Sequence, residues 1–431
     1  MHDMRQYVTD QIRQIKHVTY RNIADAAKTR ARWILLDSVG CIICGMDGEK
    51  LPGEIHEAIL RSSSAMVSTE LYEGNRFAVG HPACHIVPLL LKEIEPKTSL
   101  TYGKCLEIFI CAYELASKWG RSVRFTNDML GHGTIMNAGA AVVEGLLADL
   151  DEEDFVNYLM TCEVLPEVST WQSVFEGSAI HDYYPGIAAV NAKNAMYMAS
   201  NSMRSSEELI RSVYGKITGT RIEDDNLMDD KEIGWFIVRN YFKVHSGCRF
   251  VHQFADVIEE MMQDGLCMKD VKEIHISTYK KAAMISDQHV TNALAAKFST
   301  PVSLAVLLSE GRLYPDDIER AITKESVQDL AYRIYLKEDD RYNKLIPDVR
   351  GGMVRVIKND GQVIEKEVFH AHGDFDDPAG YSEQQLIEKF RSVTQKHLGR
   401  EEQDQLIDKI LRGNEEDKAQ DIFRTYYDSV R

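Results

Sequence analysis

The stretch from Leu100 to Lys118 carries Leu106, Ile108, Phe109, Cys111, Ala112 and Leu115 around more than one face of a helix. A helix that is apolar beyond a single stripe must be surrounded, so the chain needs several helices packed about a common centre. Two partners are legible. Apolar residues recur at helical spacing from Ile23 to Met46, with Gly45 at the expected stop. Thr134 to Leu150 is rich in Ala and Gly, which lets other helices approach its backbone closely, and Asp151-Glu152-Glu153-Asp154 opens the next element.

The period changes near Val271. Val271 to Thr278 alternates apolar and polar residues, and Met353 to Lys358, then Asn359-Asp360-Gly361, then Gln362-Val363-Ile364 reads as a hairpin whose turn tolerates positive φ at Asp360-Gly361. Ser382 and Gln385 form a capping box that starts another helix. The expected fold is mainly α with a smaller α+β domain: an all-helical domain over 1–268 and 395–431, and an α+β lid over 269–394. Gly373 and Pro378 bracket Asp374-Phe375-Asp376-Asp377, which is read as a solvated turn rather than a metal cluster.

At 431 residues and 44% hydrophobic content, the chain can bury a large core. Its formal net charge of -17 argues against nucleic acid or an anionic membrane surface as partner, since both demand clustered Lys and Arg. No uncharged apolar run is long enough to span a bilayer, and no charged-then-apolar signal opens the chain. The eight cysteines are scattered, most of them in apolar, helix-like runs, a reduced, intracellular pattern that points to the cytoplasm. Cys41 and Cys44 have CxxC spacing but no second pair and no βαβ setting, so they read as core residues.

Three segments concentrate chemistry. Gly80-His81-Pro82 and Gly131-His132-Gly133 each set an imidazole where an irregular segment meets an apolar one. At a helix start, unpaired N–H groups and the macrodipole hold an imidazole neutral and attract an anion, the two conditions a general base needs for a carboxylate substrate. The third segment, Tyr241 to His252, gathers Lys243, His245, Cys248, Arg249 and His252 around the turn at Ser246-Gly247. If a helix begins just after Gly247, Cys248 and His252 share one face. A metal site there would need a further ligand, and no HExxH or paired CxxC supplies it. His245 is read as a supporting or solvent-facing residue.

In order along the chain, Leu35-Leu36-Asp37-Ser38-Val39-Gly40-Cys41, His81-Pro82 with Pro88, Tyr113-Glu114, Gly131-His132-Gly133-Thr134, Lys243 with Cys248-Arg249 and His252, Lys297-Phe298-Ser299-Thr300-Pro301, Gly373-Asp374 and Lys389-Phe390 resemble the MmgE/PrpD family. That family includes 2-methylcitrate dehydratases, cis-aconitate decarboxylases and an iminodisuccinate epimerase. The resemblance implies a large helical domain with an α+β lid, a homodimer, and proton movement next to a carboxylate without a metal or organic cofactor. By position, His81 and His132 match the family's active-site histidines and Lys243 an active-site lysine. His181 stands where a lysine is expected, Cys248 where a histidine is, and Val302 where a tyrosine is. The short Leu71 to Val79 segment lacks the acidic stretch that carries a catalytic Asp in cis-aconitate decarboxylases.

The sequence therefore leads to a lyase of dehydratase or decarboxylase type on a small di- or tricarboxylate. An epimerase or isomerase, and a carboxylate-binding member without activity, are the alternatives. His81, His132, His181, Lys243 and Lys297 are the expected catalytic groups. Cys248, Arg249, His252 and Tyr184 are the expected substrate-binding groups.

Overall fold

A computed structural model describes residues 3–224 and 235–431. The chain is mainly α with a smaller α+β region, as expected. The fully wrapped helix is Tyr102–Ser122, started by the Thr101 side chain accepting the Lys104 N–H. Its ring and branched side chains, among them Phe109, Tyr113 and Trp119, are buried. Around it pack Asp25–Met46, Pro82–Ile94 and the small-residue helix Asn137–Leu147, which in turn lies against Ile180–Ser200. The small-residue helix starts three residues later than the composition implies. Gly131 to Met136 is irregular, and Gly133 turns at φ +74, a conformation that ends any helical reading there.

The second region is built on a four-stranded sheet in the order Ile334–Glu338, Val271–Thr278, Gly352–Lys358, Val363–Val368. The first pair is parallel and the others antiparallel. Ile274 and Ile276 pair with Val356 and Val354, so one register sends all four into the core. In the hairpin turn Gly361 alone takes the positive φ, at +89, while the Gly361 N–H donates to the Lys358 carbonyl. The Ser382–Gln385 capping box forms as read.

Two apolar cores result. One gathers the helices before Phe242 together with Leu386, Phe390 and the C-terminal helices. The other gathers Cys248 to Val356 with Leu130 and Val174. Helix Arg249–Gln263, read from sequence as part of the helical body, packs in the second core through Val251, Phe254 and Ile258. Helix Glu383–Thr394, read as part of the lid, packs in the first through Leu386, Phe390 and Val393. Both amphipathic helices follow the apolar face available to them, which a change of period in the sequence does not reveal. All eight cysteines are free, with Cys41 buried and Cys44 half-buried on one helix. Among the described residues no helix is long and apolar enough to cross a membrane.

Candidate active site

A two-stranded ribbon pairs Gly74–Asn75 with Asn240–Tyr241 and brings the His81 segment beside Lys243, although they are far apart in the chain. Gly74 is required there. A Cβ on it would lie 2.3 Å from the Tyr241 hydroxyl and 2.7 Å from His81 Nδ1. A buried ion pair anchors the same segment from behind: Lys389 Nζ donates to Asp37 Oδ1 and to the Leu71 carbonyl, both at 2.5 Å.

His81 is the N-cap of Pro82–Ile94. Its Nδ1–H donates to the Glu73 carbonyl at 2.7 Å, which leaves Nε2 with its lone pair. Burial, reinforced by the nearby Lys243 ammonium, pushes this imidazole down to about 3, so it stays neutral. The Glu73 carboxyl accepts the Ala83 N–H at 2.9 Å and the Tyr113 hydroxyl at 2.8 Å, holding the start of the helix in place. Burial raises that carboxyl to about 8.

The His132 ring centroid lies 5.1 Å from that of His81, and its Nε2 is 2.9 Å from the Tyr72 hydroxyl. Burial, together with His181 and His81, keeps it well below the usual imidazole range. His85 supports both rings. Its Nδ1–H donates to the His81 carbonyl at 2.9 Å, and its Nε2 accepts the Gly133 N–H at 2.7 Å. A Cβ on Gly133 would meet the Tyr184 carbonyl at 2.7 Å, so glycine serves both the turn and the packing.

The group that unites the cluster is Glu70, which no sequence motif singles out. Its backbone is left-handed, φ +47, an arrangement that costs a non-glycine residue energy. Glu70 Oε2 accepts from Lys243 Nζ at 2.6 Å, and Oε1 from His181 Nε2 at 3.0 Å and the Tyr72 hydroxyl at 3.3 Å. Burial alone would raise this carboxyl, but the Lys243 ammonium and His181 hold it well below the usual carboxylate range. A carboxylate thus stands next to the segment that seemed to lack one. His132, Tyr72 and Glu70 form a continuous chain of hydrogen bonds through which a proton can be passed.

Exposure separates the roles. His181, Lys243 and Tyr72 are completely buried and Glu70 nearly so, whereas His132 keeps 7% exposure and His81 is only half-buried. His81 and His132 are therefore the most accessible members of the cluster. The Lys243 ammonium also lies 4.8 Å from the Tyr72 ring centre and is committed to Glu70.

The remaining candidates divide. Lys297 is buried, and its amine donates to the Ser68 carbonyl at 2.6 Å rather than to the imidazole cluster. Burial lowers that ammonium. Tyr184 is half-buried beside Ser173 and does not join the cluster. Cys248 caps Arg249–Gln263, with its thiol raised to about 11 by burial. Arg249 is not free for an anion: it pairs with Asp374 at 2.7 Å, donates to the Ala371 and His372 carbonyls and to His252 Nδ1, and covers the Tyr241 ring. His252 is thereby fixed as a neutral acceptor, held down by burial and Arg249. The Asp374 to Asp377 turn is not solvated as read. Asp374 pairs with Arg249, Asp376 with Arg76 and Asp377 with His372. His245 is buried against Asp256 at 2.9 Å and does not face solvent.

Among the described residues, two sets of three groups could hold a cation, with ligand atoms within 4.8 Å of one another: Glu70, His132 and His181, and His245, Asp256 and Glu259. In the first, the Lys243 ammonium already supplies the positive charge to Glu70. Three helix starts, at His81, at His181 in the first turn of Ile180–Ser200 and at Cys248, carry site residues, which suits an anionic ligand. Residues 245–412 match the MmgE/PrpD C-terminal domain. No protein among curated sequences matches the chain.

Proposed function

The chain belongs to the MmgE/PrpD family by its residues 245–412, and from that premise we propose a lyase of dehydratase or decarboxylase type. It acts on a small di- or tricarboxylate and needs no metal or organic cofactor. The observation that carries this reading is the pair of neutral imidazoles, His81 and His132, 5.1 Å apart at the accessible edge of an otherwise buried charged cluster. A neutral imidazole with a free lone pair can remove a proton from a carbon next to a carboxylate. His81 Nε2 has that lone pair, because its Nδ1 proton is tied to the Glu73 carbonyl.

His132 is the second proton-transfer group. Through Tyr72 it communicates with Glu70, so a proton reaching one end of the chain can be released at the other, to a departing group or back to carbon. Glu70, Lys243 and His181 act behind the pair as positioning residues. Their charges compensate one another, and the helix starts receive the substrate carboxylate. Epimerisation is the second reading, and the same imidazole pair favours it: one ring would remove the proton and the other return it.

Kinetics on 2-methylcitrate, cis-aconitate and related acids test the assignment. Replacing His132 by Ala or His81 by Asn lowers turnover by roughly 10²-fold or more if each transfers a proton. Near-normal turnover in either variant would remove that residue from the chemistry.

A further inference from the structure

Between the two regions lies a cavity of about 880 Å³, large on the scale of roughly 300–1,000 Å³ that small-molecule sites span. A four- to six-carbon acid leaves much of it empty. Its walls hold six cationic side chains, Arg76, Arg121, Arg124, Lys280, Lys281 and Arg350, against the acids Asp348 and Asp376. In a chain of net charge -17 this local reversal of sign is itself an observation.

Four of these cations lack an acidic partner among the described residues. Arg76 is paired with Asp376 at 2.6 Å, and Arg124 with Glu223. Arg121, Lys280, Lys281 and Arg350 have no carboxylate within ion-pair distance among the described residues. Arg121 Nη1 is buried without a hydrogen-bond partner. So is the hydroxyl of Tyr279, a residue only 3% exposed that also lines the cavity. Lys281 keeps an exposed side and Arg350 is half-buried, and partial burial together with Arg350 lowers the Lys281 ammonium. The buried Arg121 and Tyr279 donors are costly to leave unmade, and the unpaired positive charges beside them favour an anion as the group that meets them.

Arg350 and Tyr241 link the cavity wall to the imidazoles through space. Arg350 lies over the Phe250 ring, 5.6 Å from its centre, and is close enough to the Tyr241 hydroxyl and the Cys248 thiol to favour their ionised forms. The Tyr241 ring centre is 6.0 Å from that of His81.

We propose that this cleft is a second anion subsite, in which Arg350, Lys281 and Arg121, with the Tyr279 hydroxyl, bind a carboxylate or phosphate group of the substrate distal to the carbon that reacts at His81 and His132. The substrate is then a polyanionic organic acid with charged groups at both ends. That description rests on the proposed proton-transfer reading, but the subsite itself does not.

Calorimetric titration of the full chain with tricarballylate, which presents carboxylates only, and separately with inorganic phosphate, tests this. One or both probes should bind the wild type, and the tighter one identifies the group. Arg350→Gln and Lys281→Gln should each weaken that binding roughly tenfold or more, Arg350→Lys should restore part of it, and binding should weaken with added salt. Failure of both probes to bind the wild type, or unchanged affinity in both Gln variants with far-UV dichroism intact, overturns the subsite. Unchanged affinity in those variants alongside lost proton transfer in His132→Ala would leave the proposed function standing. Lost affinity with no proton transfer on any acid would leave the subsite standing and remove the proposed function.

Discussion

Glu70 sits in a left-handed conformation with its carboxylate surrounded by Lys243, His181 and Tyr72, and removal of its charge has a definite cost. Glu70→Gln leaves the Lys243 ammonium buried without an anion, so a loss of about 3–5 kcal/mol in urea denaturation is expected. A change below about 1 kcal/mol would mean that water or another acid already compensates Lys243. Glu73 predicts a pH dependence of defined sign. Its carboxyl is raised by burial from 4.5 to about 8, so its favourable contribution is fully present below about pH 4.5 and is lost as pH rises through 8. Glu73→Gln, which cannot ionise, should therefore gain stability relative to the wild type between pH 6 and 9, read as the difference in denaturation midpoints. A difference independent of pH would contradict the raised value. Neither glutamate was legible as a site residue. Glu70 is 173 positions from the lysine it pairs with, and nothing in Ser68-Thr69-Glu70-Leu71 marks the turn that aims it inward.

At the scale of elements, what could be read was what has a period or a cap. The wrapped helix, the alternating strand at Val271, the hairpin and the Ser382 cap all follow from local spacing, and His81 was recognisable because Pro82 begins a helix. The ribbon of Gly74–Asn75 with Asn240–Tyr241 is two residues long on each side, too short for any pattern, yet it joins the two halves of the site. Lys297 illustrates the converse error. Its place just ahead of an apolar helix was legible, but the direction of its amine, toward the Ser68 carbonyl, depends on a helix over 200 residues away. The ribbon carries a prediction. Gly74→Ala forces a Cβ into the Tyr241 hydroxyl and His81 Nδ1, and should cost about 1–3 kcal/mol and reduce turnover, whereas Gly53→Ala, with nothing within 4 Å, should alter stability by less than about 0.5 kcal/mol. Equal thermal midpoints for the two variants would show that the ribbon yields freely.

Across the whole molecule, we propose that the two apolar cores are two bodies with seams near 243–248 and 357–385, and that the α+β body is a lid. The 243–248 seam holds Lys243, which pairs with Glu70 in the cluster, and the cationic cavity draws its walls from either side of the seams. Lys243, His181 and Glu70 are sealed in the described conformation, so a substrate that enters at His81 and His132 is enclosed by closure of the lid rather than by rearrangement of the core. The acidic exterior and the cationic cleft together draw a carboxylate to the one place where it is needed. Central to this picture is the abstraction of a proton next to a carboxylate by the imidazole pair. Proton NMR of candidate di- and tricarboxylates incubated in deuterium oxide measures that step directly, even without net conversion. The wild type should erase one C–H resonance adjacent to a carboxylate, and His132→Ala should leave it nearly intact. No loss of signal from any of the acids, or equal loss with the variant, would contradict it.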